Sequence, residues 1–192
     1  MPYILVTASS SGLGLEIVKE LDSLNYKLIV TSRSDDSLAE VEKILNNSEN
    51  HKFIKVDYEN DEELNVFLQN LQNIECVVHN LGGKIEGDTH PIDEEILKRS
   101  INLNFTIANK INNVLVKTKE LKKIIHIGSV ASLHAKASPC YTLSKGLINT
   151  YIKNISNEYI KKGIMICGIL PGIVIHNGSD WDKKKVLEFQ KY

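Results

Sequence analysis

Near its start the chain reads Tyr3-Ile4-Leu5-Val6-Thr7-Ala8-Ser9-Ser10-Ser11-Gly12-Leu13-Gly14. An apolar run suited to a buried strand passes directly into a turn of small residues. The turn opens a stretch of helical period over residues 13–24, with Leu15, Ile17, Val18 and Leu21 on the inward side. A glycine-rich turn at a helix start leaves amide N–H groups free and adds the positive end of the helix dipole, so it suits an anion. Gly12 and Gly14 let the backbone approach a pyrophosphate and let the helix pack closely on the strand. Thr7, Ser9, Ser10 and Ser11 offer further hydroxyl donors, which makes the stretch through Leu13 a candidate nucleotide site.

Outward from this turn the pattern repeats. Short apolar runs at 3–7, 27–32, 53–56, 76–79, 123–127 and 164–170 alternate with helical periods at 13–24, 37–45, 62–71, 94–117 and 141–161. The runs are apolar on both faces, as strands covered by helices on each side must be. Such alternation predicts an α/β fold: a doubly wound parallel sheet with helices on both faces, the Rossmann arrangement, in one domain over 1–192.

Composition excludes several alternatives. Hydrophobic residues make up 42%, charged residues 24%, and the net charge is -1, so no basic surface points to nucleic acid or an anionic membrane. No apolar run approaches the length of a membrane span, and no leader pattern precedes the first strand; the expected location is the cytoplasm. Cys76, Cys140 and Cys167 are odd in number and set among apolar residues, so they read as reduced core thiols. The histidines show no metal-ligand spacing, and no metal is expected.

The end of the second strand bears on cofactor choice. An acid there would accept from an adenosine ribose and repel a 2′-phosphate. The chain instead reads Val30-Thr31-Ser32-Arg33, with no acid before Asp35. Arg33 can pair with a 2′-phosphate, which favours NADP over NAD.

Farther along, Ser129 is followed by Tyr141-Thr142-Leu143-Ser144-Lys145. Together with the 7–14 turn, His79-Asn80-Leu81-Gly82 after the fourth strand, Asp57 after the third and Pro171-Gly172 after the sixth, this resembles the short-chain dehydrogenase/reductase family. The resemblance runs in order over nearly the whole chain. It implies Tyr141 as proton donor or acceptor, Lys145 as the ammonium that favours its phenolate and holds the nicotinamide ribose, and Ser129 as donor to the substrate oxygen. Tyr141 and Lys145, four apart on a helix, share one face. The family's helix asparagine is placed at Asn102 by its spacing to Ser129, with Asn104 as the alternative. Cofactor contacts are implied from Asp57 and Tyr58, from Asn80, Leu81 and Gly82, and from Pro171, Gly172 and Val174.

Three departures stand out. Ala8 fills the first glycine position of the turn, which predicts a negative φ there and a slightly shifted loop. His79 replaces an asparagine, and His176 stands where the family has a threonine. Family members also continue well beyond the Pro-Gly turn. The expectation is a chain without the last strand and substrate lid, ending after a helical pattern at 182–190. The resulting reading is an NAD(P)-dependent oxidoreductase acting on a small carbonyl or alcohol, as a homo-oligomer (dimer or tetramer). The alternatives are an inactive nucleotide-binding regulator or truncated product, and an epimerase that uses the cofactor transiently.

Overall fold

A computed structural model describes residues 1–134 and 137–174. Six parallel strands form one sheet: β1 (Tyr3–Val6), β2 (Leu28–Ser32), β3 (Lys52–Lys55), β4 (Ile74–His79), β5 (Lys123–Ile127) and β6 (Met165–Ile169). Their spatial order is β3-β2-β1-β4-β5-β6. The chain therefore winds outward from β1 in one direction and, after β3, crosses back to wind in the other. Neighbours β1 and β4 lead to opposite halves, which opens a crevice at their C-terminal ends.

The helices are α1 (Gly12–Ser23), α2 (Asp35–Ile44), α3 (Asp61–Gln69), α4 (Glu94–Ile101), α5 (Ile107–Leu115), α6 (Ala131–His134) and α7 (Pro139–Lys161). Alternate strand residues feed two cores. Ile4, Val6, Leu28 and Val30 pack with Val18, Leu38 and Val41 of α1 and α2. Leu5, Ile29, Val77 and Ile124 pack on the other face with Leu64 and Phe67 of α3 and with Ile107, Ile111 and Leu115 of α5. This two-sided burial explains why the strands read as continuous apolar runs rather than alternating ones.

Local caps set several helix starts. The Ser34 side chain accepts from the Ser37 N–H, Asn60 from Glu62 and Glu63, and Asp93 from Glu95 and Ile96. Acidic residues in these first turns complement the helix dipole. The single helix expected over 94–117 is interrupted at Asn102–Thr106 by a π-helical turn between α4 and α5. The short α6 was not legible in the periodicity. The helical pattern at 182–190, and His176, lie outside the described residues.

Candidate active site

The 7–14 turn sits at the head of β1 and is fastened by side chains more than by its own backbone. Thr7 Oγ1 accepts from the N–H groups of Asn80 and Leu81, both at 3.0 Å, and so joins the ends of β1 and β4. The Ser9 hydroxyl donates to the Val6 carbonyl at 2.9 Å and accepts from the Thr31 N–H at 2.9 Å. Ser9 is fully buried, so its hydroxyl braces β1 against β2 and is not available as a phosphate donor. Ser10 and Ser11 face the crevice.

Ala8 has φ +52°, against the negative value expected from its side chain. Its N–H donates to Thr31 Oγ1 and its carbonyl accepts from Asn80 Nδ2, each at 3.0 Å, and these bonds hold the left-handed conformation against its steric cost. Gly14 has no room for a side chain: a Cβ there would lie 2.5 Å from both the Ala8 carbonyl oxygen and Asn80 Nδ2. The N–H groups of Ser10, Ser11, Gly12 and Leu13 make no hydrogen bond to another described residue. That leaves donors at the positive end of α1, the arrangement a pyrophosphate needs.

The crevice has a volume of about 790 Å³, and its lining includes Ser10, Arg33, Asp57, Asn80, Leu81 and Gly82. Arg33 therefore stands on the cofactor side, beside Ser32 and Ser34. The Asp57 carboxylate accepts from the Glu59 N–H at 3.0 Å, which shapes the loop after β3. Tyr58 behaves otherwise. Its ring is buried edge-on to Phe67 and its hydroxyl donates to Thr31 Oγ1 at 3.0 Å, so only its backbone can serve a ligand. Burial pushes the Tyr58 phenol above its ordinary pKa.

The catalytic candidates gather farther along, at the ends of β4 and β5 and the start of α7. Lys145 is only 4% exposed, and its Nζ donates to the Ile127 carbonyl at 2.9 Å. Burial lowers its ammonium from the usual 10.5 to about 8. The same Nζ stands 5.8 Å from the centre of the Tyr141 ring. Ser129 lies two residues beyond Ile127; its hydroxyl oxygen accepts from the Ala131 N–H at 3.1 Å, and its proton has no acceptor among the described residues. The Val130 N–H donates to the Pro171 carbonyl, which ties the turn after β6 to this strand end, while Gly172 and Val174 are exposed.

The two candidate helix asparagines are placed differently. Asn104, not Asn102, carries its side chain to this corner. Its Oδ1 accepts from the Gly83 N–H at 2.9 Å, and its Nδ2 donates to the carbonyls of Gly83 and Ser100, each at 3.0 Å. At Gly82, φ +151°, a Cβ would meet Asn104 Oδ1 at 2.5 Å and Lys145 Nζ at 3.0 Å, so Asn104 and Lys145 flank the same glycine. Asn102 is half-buried and makes no side-chain hydrogen bond among the described residues. The π turn shifts the helix register here, and linear spacing does not register such a shift.

Two further groups were missed by sequence reading. Asp88 is 2% exposed, and its carboxylate accepts from the N–H groups of Cys140 and Tyr141. Ser144 donates to the Tyr141 carbonyl and accepts from Ser100, linking α7 to α4. No local pattern marks the Asp88 contacts or the Ser100–Ser144 bond, because those partners lie far apart in the chain.

Behind the site, His79 stacks on His126 with ring centres 4.6 Å apart, and Asn112 bonds both rings. Burial lowers His79 to about 4 and holds His126 well below its usual value, so both are neutral core residues. No helix among the described residues is long and apolar enough to cross a membrane.

Comparison with known proteins agrees with this geometry. The chain is 25% identical to sorbitol-6-phosphate 2-dehydrogenase of Klebsiella pneumoniae, covering 91% of this chain and 70% of that one. It is 24% identical to a 3-oxoacyl-acyl-carrier-protein reductase of Rickettsia typhi, covering 92% and 74%. A short-chain dehydrogenase/reductase from Vibrio parahaemolyticus superposes with a TM-score of 0.75 at 28% identity, over 88% of this chain and 82% of that one. A short-chain dehydrogenase from Sphingobium yanoikuyae, solved with NADPH, shares the fold with a TM-score of 0.79 at 20% identity, over 90% and 71%. The family model described as short chain dehydrogenase matches residues 2–184, and the chain belongs to that family of oxidoreductases.

Proposed function

We propose that this chain transfers hydride between NADP(H) and a small carbonyl or alcohol, with Tyr141 as the acid/base. The observation that carries the reading is the buried Lys145 ammonium beside the Tyr141 ring, flanking Gly82 at the mouth of a crevice that suits a dinucleotide. The free N–H groups of the 10–13 turn would take the pyrophosphate, Arg33 the 2′-phosphate, and Asp57 the adenine side. When bound, the nicotinamide supplies or accepts the hydride.

This chain's own residues handle the proton. In reduction, the Tyr141 hydroxyl donates to the carbonyl oxygen as negative charge develops there, and the Ser129 hydroxyl donates to the same oxygen. The Lys145 ammonium stabilises the phenolate left behind. Its burial brings its pKa close to the working range and leaves its charge weakly screened. Asn104, clamped to Gly83, fixes the floor on which Lys145 and Gly82 meet.

Titration with NADPH and with NADH, followed by a panel of carbonyls and by Tyr141→Phe, tests the reading. NADPH should bind more tightly, and the variant should lose about 10²- to 10⁴-fold in turnover while still binding cofactor. Tight binding with no turnover across the panel would instead favour a nucleotide-binding regulator.

A further inference from the structure

Helix α7 carries both Tyr141 and Lys145, yet it lacks the local cap that starts α2, α3 and α4. Ser138 stands at its N-cap position and makes no side-chain capping bond, and Pro139 follows with no N–H. The next two N–H groups, of Cys140 and of Tyr141 itself, would be orphaned in a buried setting. Both are taken by one residue more than fifty positions upstream: Asp88 Oδ1 accepts from Cys140 at 2.8 Å and Oδ2 from Tyr141 at 2.9 Å.

Asp88 belongs to the 83–91 loop, and that loop is tied to the site at two places. At its start, Gly83 is clamped through both N–H and carbonyl by Asn104 of the π turn. Four residues on, Gly87 turns the chain at φ +78°, and the Asp88 N–H donates to the Ile85 carbonyl at 3.3 Å. The loop is thus a rigid bridge between the helix that holds Asn104 and the helix that holds Tyr141. Here each N–H donor has a carboxylate oxygen of its own, where an amide would offer a single acceptor oxygen for both. Burial would raise the Asp88 carboxyl, but the donors around it outweigh that and hold it below its ordinary value, so it stays ionised.

Resting on the reductase reading above, we propose that Asp88 is a positioning residue: it locks the backbone of Tyr141 to the 83–91 loop, so that the proton donor and this loop keep one fixed relation. An ordinary helix cap would contribute to stability alone. A lock on the acid/base residue must also set turnover, because a misplacement of about 1 Å can cost about 10²-fold.

The test uses the full chain with Asp88→Ala, Asp88→Asn and Tyr141→Phe. It measures NADPH affinity, kcat and KM with 2,3-butanedione, thermal midpoint, and the ring-carbon resonance of Tyr141 in protein labelled with ¹³C-tyrosine. The expected result for Asp88→Ala is a loss of about 10- to 10²-fold in kcat, with NADPH affinity unchanged and the Tyr141 resonance displaced. Asp88→Asn, which keeps one acceptor oxygen, should fall between Ala and wild type in both readouts. It also serves if the alanine variant does not fold. A lowered thermal midpoint with kcat per folded molecule and the Tyr141 resonance both unchanged would overturn the proposal. If wild type fails to reduce the diketone, or Tyr141→Phe keeps full turnover, the reductase reading fails instead. The resonance alone then decides Asp88: displaced supports the lock, unchanged sinks it.

Discussion

The 7–14 turn lines the crevice and the corner around Tyr141 and Lys145 adjoins it at Gly82, and the two are held in different ways. The turn spans 7–14, and its fastenings come from the adjacent strands: Thr7 to the end of β4, Ser9 to β1 and β2, Ala8 to Thr31. Its Gly14 stands where nothing larger fits. The corner is assembled from residues between 83 and 145, and its bonds tie loop and helix residues to one another and to a strand end: Gly83 to Asn104, Lys145 to the Ile127 carbonyl, Tyr141 to Asp88. The turn buries no charge and carries its strain in the left-handed backbone of Ala8. The corner buries an ammonium whose only hydrogen-bond partner among the described residues is a neutral carbonyl, which costs stability and gives chemistry in return.

The sharpest way to break the comparison is at Gly14. A Cβ there would press on the Ala8 carbonyl and Asn80 Nδ2 at 2.5 Å and on the Ser9 Cα at 3.0 Å, so backbone as well as side chain must move. Gly14→Ala should cost about 3 kcal/mol, the upper end for overpacking, and abolish NADPH binding. Urea unfolding and cofactor fluorescence measure both. A stable variant that still binds would show that the turn is looser than its contacts imply.

At the corner, the corresponding change should improve stability. Lys145 titrates near 8 in the folded chain against 10.5 ordinarily. Between those values the unfolded chain holds a proton that the folded chain has lost, so stability rises as pH climbs through this window. Below about 8 the full penalty applies. Compared with Lys145→Met, wild type should gain up to about 3 kcal/mol between pH 7.5 and 10.5. Unfolding midpoints of the two proteins across that range check it, and a constant difference would show that burial does not shift the lysine.

The same contrast explains what could be read in advance. The succession of strands and helices, the two buried faces of the strands and the 7–14 turn all show in local periodicity and in residues adjacent in the chain, so the sequence displays them directly. Tyr141 and Lys145 were legible because one helical turn separates them. Asn104 was not preferred over Asn102, because a π turn adds a residue that no periodicity counts. Asp88 was invisible, since its partners lie 52 and 53 residues away. The bracing role of Ser9 did not show in the sequence, because a hydroxyl in a turn looks the same whether it faces a ligand or braces two strands.

A smaller effect belongs to Arg33, which lines the crevice on the side of the turn. On its proposed role, Arg33→Asp replaces a phosphate partner with a like charge. It should weaken NADPH by about 1.5–3 kcal/mol while leaving NADH little changed, as paired titrations would reveal. Equal losses for both cofactors would remove the 2′-phosphate role and leave Arg33 a surface cation.

The smallest effect tests whether the turn stores any strain at all. Ala8 holds φ +52°, a region in which an L-residue costs about 1–2 kcal/mol and glycine almost nothing. Its N–H and carbonyl are both bonded, so the conformation is imposed by Thr31 and Asn80 and does not depend on the methyl group. Ala8→Gly keeps those bonds and relieves the strain, but it also adds freedom to the unfolded chain, worth about 0.5–1 kcal/mol in the other direction. The difference is a net gain of about 0.5–1 kcal/mol, or roughly 1–4 °C in Tm for a chain of this size. NADPH affinity should not move, because the Ser10 to Leu13 N–H groups keep their places. A lower Tm would mean that the methyl group itself supports the turn. The turn would then share the corner's dependence on side-chain packing, and the contrast between the two regions would narrow.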